Sequence, residues 1–313
     1  MMLNSGTKFI YWRNFNLMFE LLYAKLLDEK TKKLSEKFII NLAIISFLLH
    51  LAMITLNDLG LLGIAITGEL FTNPISAIYT PFSFILVYEV YLLIYYLPKS
   101  MTIYIGKQYE IIMLIVIRRL YKDLSNISLD GNWFESAENL QFIYDIIATV
   151  VLFLLIHFFY SMNKFRVRKL LKLTETRPEL IRFVKFKKSL AVLLVPTFVI
   201  IAVYNVFEWA SQVSEFGQGI TSGLDVNAVF FDDFFTVLIL VDVLLVLFSF
   251  AHTDKFNKVI RNSGFVISTI LVKLSFSVSG LQNILLIISA VGFGVVILWI
   301  HKLFEKNKLP VNY

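Results

Sequence analysis

The 313-residue chain has no cysteine. This excludes a disulfide framework, an iron–sulfur cluster, a thiolate zinc site and a thiol nucleophile. Charge is scarce as well, at 17% Asp, Glu, Lys and Arg, where soluble domains carry about 25%. Six prolines and 13 glycines in the whole chain are too few for a collagen-like or a Pro/Gly-rich disordered protein. Histidine is limited to His50, His157, His252 and His301, none at a metal-binding spacing from another. No G-x-S-x-G, GxGxxG or Walker-type loop occurs, so acyl and nucleotide chemistry have no visible site. No metal or other cofactor is implied.

What the chain does contain is apolar: 58% hydrophobic and 15% aromatic residues, gathered into long runs. A bilayer core about 30 Å thick requires about 20 mostly apolar residues in a helix. Eight stretches qualify: Phe38–Leu59, Ile75–Leu97, Tyr104–Lys122, Phe142–Met162, Ser189–Ala210, Val229–Phe250, Gly264–Ser279 and Leu281–Ile300. The third and seventh are the most polar, since the third holds Glu110, Arg118 and Arg119 and the seventh holds Lys273. Leu61–Leu70 is too short to span and reads as a re-entrant or interfacial piece. The expected fold is therefore an all-α polytopic membrane protein with about eight transmembrane helices.

Eight spans sort the intervening segments onto two sides. Of the 29 Lys and Arg residues, 25 fall on one side: in 1–37, around Lys99–Lys107, in Lys164–Lys188, in Ala251–Ser263 and in the C-terminal tail. Glu69, Asp123, Asp130, Glu135, Glu138, Glu215 and Asp225 collect on the other side. By the positive-inside rule both termini face the cytoplasm, which places the chain in a plasma (cytoplasmic, inner) membrane. The net charge of +6 is then an orientation signal. No basic surface interleaved with stacking aromatics or a reading helix accompanies it, so a nucleic-acid partner is not expected.

Residues 1–37 lack the continuous apolar core and small-residue cleavage site of a signal peptide. Phe9, Ile10, Trp12, Phe15, Phe19, Leu22, Tyr23 and Leu26 alternate there with Lys8, Arg13, Asn16 and Lys25. This reads as an amphipathic helix, lying in the interface or packed on the ends of the bundle. The expected organisation is this segment, a first four-helix unit over 38–163, a basic linker helix over 164–188, a second four-helix unit over 189–301 and a tail over 302–313. In the linker, Thr176-Arg-Pro-Glu179 has the form of a capping box with proline in the first turn. Its ten basic residues suit anionic lipid headgroups or act only as a stop-transfer cluster.

The two halves suggest a duplication. Glu89-Val-Tyr-Leu-Leu-Ile matches Asp242-Val-Leu-Leu-Val-Leu, and Leu140-Gln141 matches Leu281-Gln282. Four spans per unit give both copies the same orientation, as in parallel transporter repeats.

Ionisable groups within spans are expensive and mark either structure or function. The candidates for an ion pathway or for buried ion pairs are Glu89, Glu110, Arg118, Arg119, Asp145, Asp232, Asp233, Asp242 and Lys273. Counted from the expected span ends, Asp242 and Lys273 lie at nearly equal depth, about eight and ten residues from the basic side, at about 1.5 Å per residue. They are expected to pair, as is Asp145 with Arg118 or Arg119. Asp232 and Asp233 stand at the acidic mouth. Arg118 and Arg119 are adjacent and Lys273 is solitary, so the basic residue at every third position of a voltage-sensing helix is absent. His252 and His301 fall at helix ends, where a solvated role is expected. Pro81 and Pro196 fall inside spans, where proline kinks a helix.

These features point to a channel or secondary carrier for an ion or proton. A membrane scaffold or signalling subunit with structural charges is the rival, and a membrane-embedded enzyme the third reading. Partners implied are the lipid bilayer, its anionic headgroups, the ion, and further copies in an oligomer.

Overall fold

The computed structural model describes residues 18–61, 74–124, 127, 136–170, 178–215, 226–252 and 256–307. The Leu61–Leu70 stretch beyond Leu61, the Thr176 cap and the first 17 residues lie outside the described residues. So does the side chain of Asp232.

The described chain is helical almost throughout, with no strand among the described residues. In order, α1 is Glu29–Asp58, α2 Tyr79–Tyr96, α3 Met101–Leu124 and α4 Ala137–Leu170. Then come α5 at Pro178–Glu215, α6 at Val226–His252, α7 at Phe256–Ser275 and α8 at Gly280–Asn307. Glu29 in the first turn of α1 suits the positive end of the helix dipole. Gly60 ends that helix at φ 67°, a left-handed conformation that glycine adopts without a Cβ penalty. A 3₁₀ turn, Pro74–Ile78, leads into α2. Pro81 therefore sits in the first turn of α2, where its missing N–H has no helical partner to lose. Pro196 is interior to α5, and the helix continues through it.

Among the described residues, six helical stretches are long and apolar enough to cross a membrane: Met18–Asp58, Pro74–Tyr96, Asn139–Asn163, Ile181–Tyr204, Asp233–Ala251 and Gly280–Lys306. They mark the chain as a membrane protein. The two helices that fall short are α3 and α7, whose charges lower their apolar content.

Consecutive helices pack as neighbours: α1 with α2, α2 with α3, α3 with α4, and again α5 with α6, α6 with α7, α7 with α8. Between these two series, α4 packs on α8, α2 on α5 and α3 on α7. The polarity of the bundle is partly inverted relative to a soluble protein. Large apolar side chains such as Leu48, Phe153, Val203, Phe207 and Leu247 are exposed, while Thr102, Gln108 and Arg118 of α3 are buried, as are Arg261, Asn262, Ser268 and Thr269 of α7. An apolar coat of this extent suits lipid. The least lipophilic helices thus carry the polar interior.

An aromatic core fills the same region. Tyr109 of α3 meets Phe159 of α4 edge-on at 5.2 Å between centroids, and Phe159 lies 5.9 Å from Phe265 of α7. Small residues let these helices approach. A Cβ at Gly264 would stand 2.9 Å from Ile297, and one at Gly294 would overlap the Tyr109 hydroxyl. At the other face of the bundle, residues 18–26 form a helical stretch held by the Tyr91 hydroxyl on the Leu26 carbonyl at 3.0 Å and by Lys188 on Glu20 at 2.9 Å. These bonds tie the stretch to α2 and α5.

Candidate functional site

The polar interior has four parts. The deepest centres on Asp242 of α6, which is fully buried. Gln108 Nε2 of α3 donates to Asp242 Oδ2 at 2.9 Å. The other end of the same amide, Gln108 Oε1, accepts from Thr269 Oγ1 of α7 at 2.8 Å. Thr269 Oγ1 also lies 3.1 Å from the Phe265 carbonyl one turn back. A neutral amide thus joins three helices around one carboxyl. Asp242 Oδ1 and the buried Tyr104 hydroxyl have no hydrogen-bond partner, although the two side chains lie within interaction range of one another. One turn further along α3, the Tyr109 hydroxyl and Ser268 Oγ share a hydrogen bond of 2.8 Å, and Ser268 donates to the Ala290 carbonyl at 2.7 Å.

Towards the basic end lies a second group. Arg261 of α7 is 7% exposed and donates to Asn262 Oδ1 at 2.8 and 3.1 Å. Its Nη1 stands 3.3 Å from His301 Nε2, and His301 Nδ1 stands 3.1 Å from the Asn257 carbonyl. The same Nε2 stands 3.3 Å from Glu305 Oε1, so the imidazole is shared between a guanidinium, which only donates, and a carboxylate, which only accepts. His301 is 3% exposed. The solvated role expected for it is corrected: α8 runs to Asn307 and carries His301 inside the bundle against α7. Lys187 of α5 is buried too, reaches the Lys99 carbonyl at 3.3 Å and lies within electrostatic range of both Arg261 and Asp242.

A third group joins α2, α3 and α4. Glu110 accepts from Lys107 and from the Tyr160 hydroxyl, and Glu89, half-buried, lies within range of Lys107 and Glu110. Its Oε2 is buried without a hydrogen bond. Lys107 also stands 5.4 Å over the Tyr96 ring.

The fourth group is at the acidic end. Arg119 Nε and Nη2 of α3 donate to Asp145 Oδ2 and Oδ1 of α4 at 2.5 and 2.6 Å, a bidentate pair. Arg119 Nη1 continues to Asn283 Oδ1 of α8 at 2.9 Å, and Gln141 completes Asp145 at 3.0 Å. Of the two arginines offered by the sequence, Arg119 takes Asp145. Arg118 is buried, 5% exposed. Asp233 is exposed at the start of α6.

The expected Asp242–Lys273 pair does not form. Lys273 donates to Thr236, six residues before Asp242. The cause is the start of α7 at Phe256, eight residues before the Gly264 assumed from hydropathy. At about 1.5 Å per residue, this carries Lys273 about 12 Å further towards the acidic end, level with Thr236. Asp242 is instead hydrogen-bonded by Gln108, with Thr269 and Tyr104 close by, neutral residues that a search for charges passes over. Tyr104 and Gln108, at a four-residue spacing on one face of α3, are the signal that could have found them.

Among the described residues, no group of three His, Asp or Glu could hold a metal ion. No protein family, curated protein or solved structure matches the chain.

Proposed function

We propose that the chain is an integral membrane transport protein, a channel or secondary carrier, that moves an ion or proton along the polar interior between α3, α6 and α7. The observation that carries this reading is Asp242, a fully buried carboxyl with one amide donor and an oxygen left without a partner. An ionisable group at such depth costs about 2.5–3.5 kcal/mol on the lenient insertion scale, and a purely structural role would call for a complete set of partners. The Arg119–Asp145 clamp has that complete set and reads as structural.

In this proposal α3 and α7 also cross, giving eight spans. Their polar faces are covered by the six apolar helices. The same neighbour order in α1–α4 and α5–α8 supports two parallel four-helix repeats. The charge asymmetry supports cytoplasmic termini in a plasma membrane. The test is flux in proteoliposomes under an applied potential. Wild-type protein should pass an ion or protons, and Asp242→Asn, folded by circular dichroism, should lose at least tenfold. Unchanged flux in Asp242→Asn would leave only the scaffold reading for this site.

A further inference from the structure

With Asp242 ionised, Gln108 Nε2 donates to Asp242 Oδ2 at 2.9 Å and Thr269 Oγ1 donates to Gln108 Oε1 at 2.8 Å. The Phe265 carbonyl, 3.1 Å from the same hydroxyl, receives nothing from it, since a hydroxyl has one proton to give. Now let the Gln108 amide turn over in place, exchanging oxygen and nitrogen. Its oxygen then faces Asp242 Oδ2 and accepts from a protonated carboxyl. Its nitrogen faces Thr269 Oγ1 and donates to it, and the Thr269 proton turns to the Phe265 carbonyl. Both contacts of Gln108 are filled in either arrangement, the contact to the Phe265 carbonyl is filled only after the reversal, and the reversed arrangement requires a proton on Asp242 Oδ2.

We propose that Asp242 is a reversible proton-binding site, with Gln108 as the positioning residue whose amide reverses each time the proton binds or leaves. The carried species is therefore the proton. This rests on the transport reading and narrows it. The step balances simply: hydronium of the bulk solvent gives one proton to Asp242 Oδ2 and leaves as water, and release is the reverse.

A metal cation suits the site less well. Hard cations take oxygen ligands, six or more for calcium and magnesium, whereas Asp242 is met by an amide N–H and faces hydroxyl groups. Lys187 of α5 also lies within electrostatic range of the carboxylate, and Arg261 of α7 within range of Lys187. These, with Tyr104 and Tyr109 of α3, are the titratable and charged groups that bear on Asp242 from the helices around it. Two nearby cations repel a third. They do not hinder a proton that neutralises the acid in place.

The test is infrared difference spectroscopy between acid and alkaline pH on the purified full chain in lipid, with side-chain-labelled glutamine, alongside proton flux in vesicles. The wild type should show a protonated-carboxyl band lost in Asp242→Asn, together with a glutamine amide band lost in both Asp242→Asn and Gln108→Met. Should Gln108→Met fail to fold, Thr269→Val keeps the Asp242 band and displaces the Gln108 amide band. No titrating carboxyl assigned to Asp242, or an Asp242 band without a Gln108 band, overturns the proposal. Both bands without proton flux would leave the switch standing and remove the transport reading. Wild-type flux that Asp242→Asn abolishes, with no titrating carboxyl band at Asp242, would keep the transport reading and remove the switch.

Discussion

Arg119 and Asp145 meet through two parallel hydrogen bonds of 2.5 and 2.6 Å, and Asp145 is fully buried. Removing the arginine alone strands that carboxylate. Arg119→Met should lower stability by about 3–5 kcal/mol, the usual cost of an uncompensated buried charge. Arg119→Met with Asp145→Asn should recover most of the loss. Denaturant titration in mixed micelles reads both. A double variant no more stable than the single one would show that the pair does not act as a unit.

The separation of Asp242 from Lys273 gives a complementary expectation. The two have different partners, Gln108 for one and Thr236 for the other, so Asp242→Asn and Lys273→Met should act independently. The coupling energy from a double-mutant cycle should lie within about 0.5 kcal/mol. A coupling of several times that would restore the ion pair that hydropathy alone suggested.

The close approach of the Tyr109 side chain of α3 to α8 is testable through two glycines two residues apart. Gly294→Ala drives its Cβ into the Tyr109 hydroxyl, while a Cβ at Gly292 meets nothing within 4 Å. Overpacking typically costs about 1–3 kcal/mol, so Gly294→Ala should destabilise by that amount and Gly292→Ala should change little. Tyr109→Phe removes the obstructing oxygen and should rescue part of the Gly294→Ala loss. Equal thermal stability of the two alanine variants would contradict the packing.

Orientation can be measured directly because the background has no cysteine. Ser279 and Lys306 are both exposed, in the α7–α8 link and near the end of α8 respectively. Ser279→Cys should react with an impermeant maleimide applied to intact cells. Lys306→Cys should react only after permeabilisation. The reverse pattern inverts the proposed topology, and labelling of both from outside means that α8 does not cross.

The sequence by itself determined which helices face lipid. Apolar content over 20 residues is a local sum, so α1, α2, α4, α5, α6 and α8 could be read without knowing any neighbour. It also determined that Asp145 would find an arginine, because Arg119 and Asp145 lie at matching depths on consecutive helices. What tertiary structure decided was which polar groups face each other, and this depends on where a helix begins and how it is rotated. Lys258 and Arg261 hid the first turns of α7 from a hydropathy reading, and that offset sent Lys273 to Thr236. Asp242 was legible as a buried acid, but its partners Gln108 and Thr269 lie 134 and 27 residues away along the chain. Only the packing of α3 against α7 of the second series brings that neutral amide and hydroxyl to one carboxyl. Neutral partners carry no charge to announce them in a sequence, and a one-residue change in helix rotation turns a side chain by about 100° at 3.6 residues per turn.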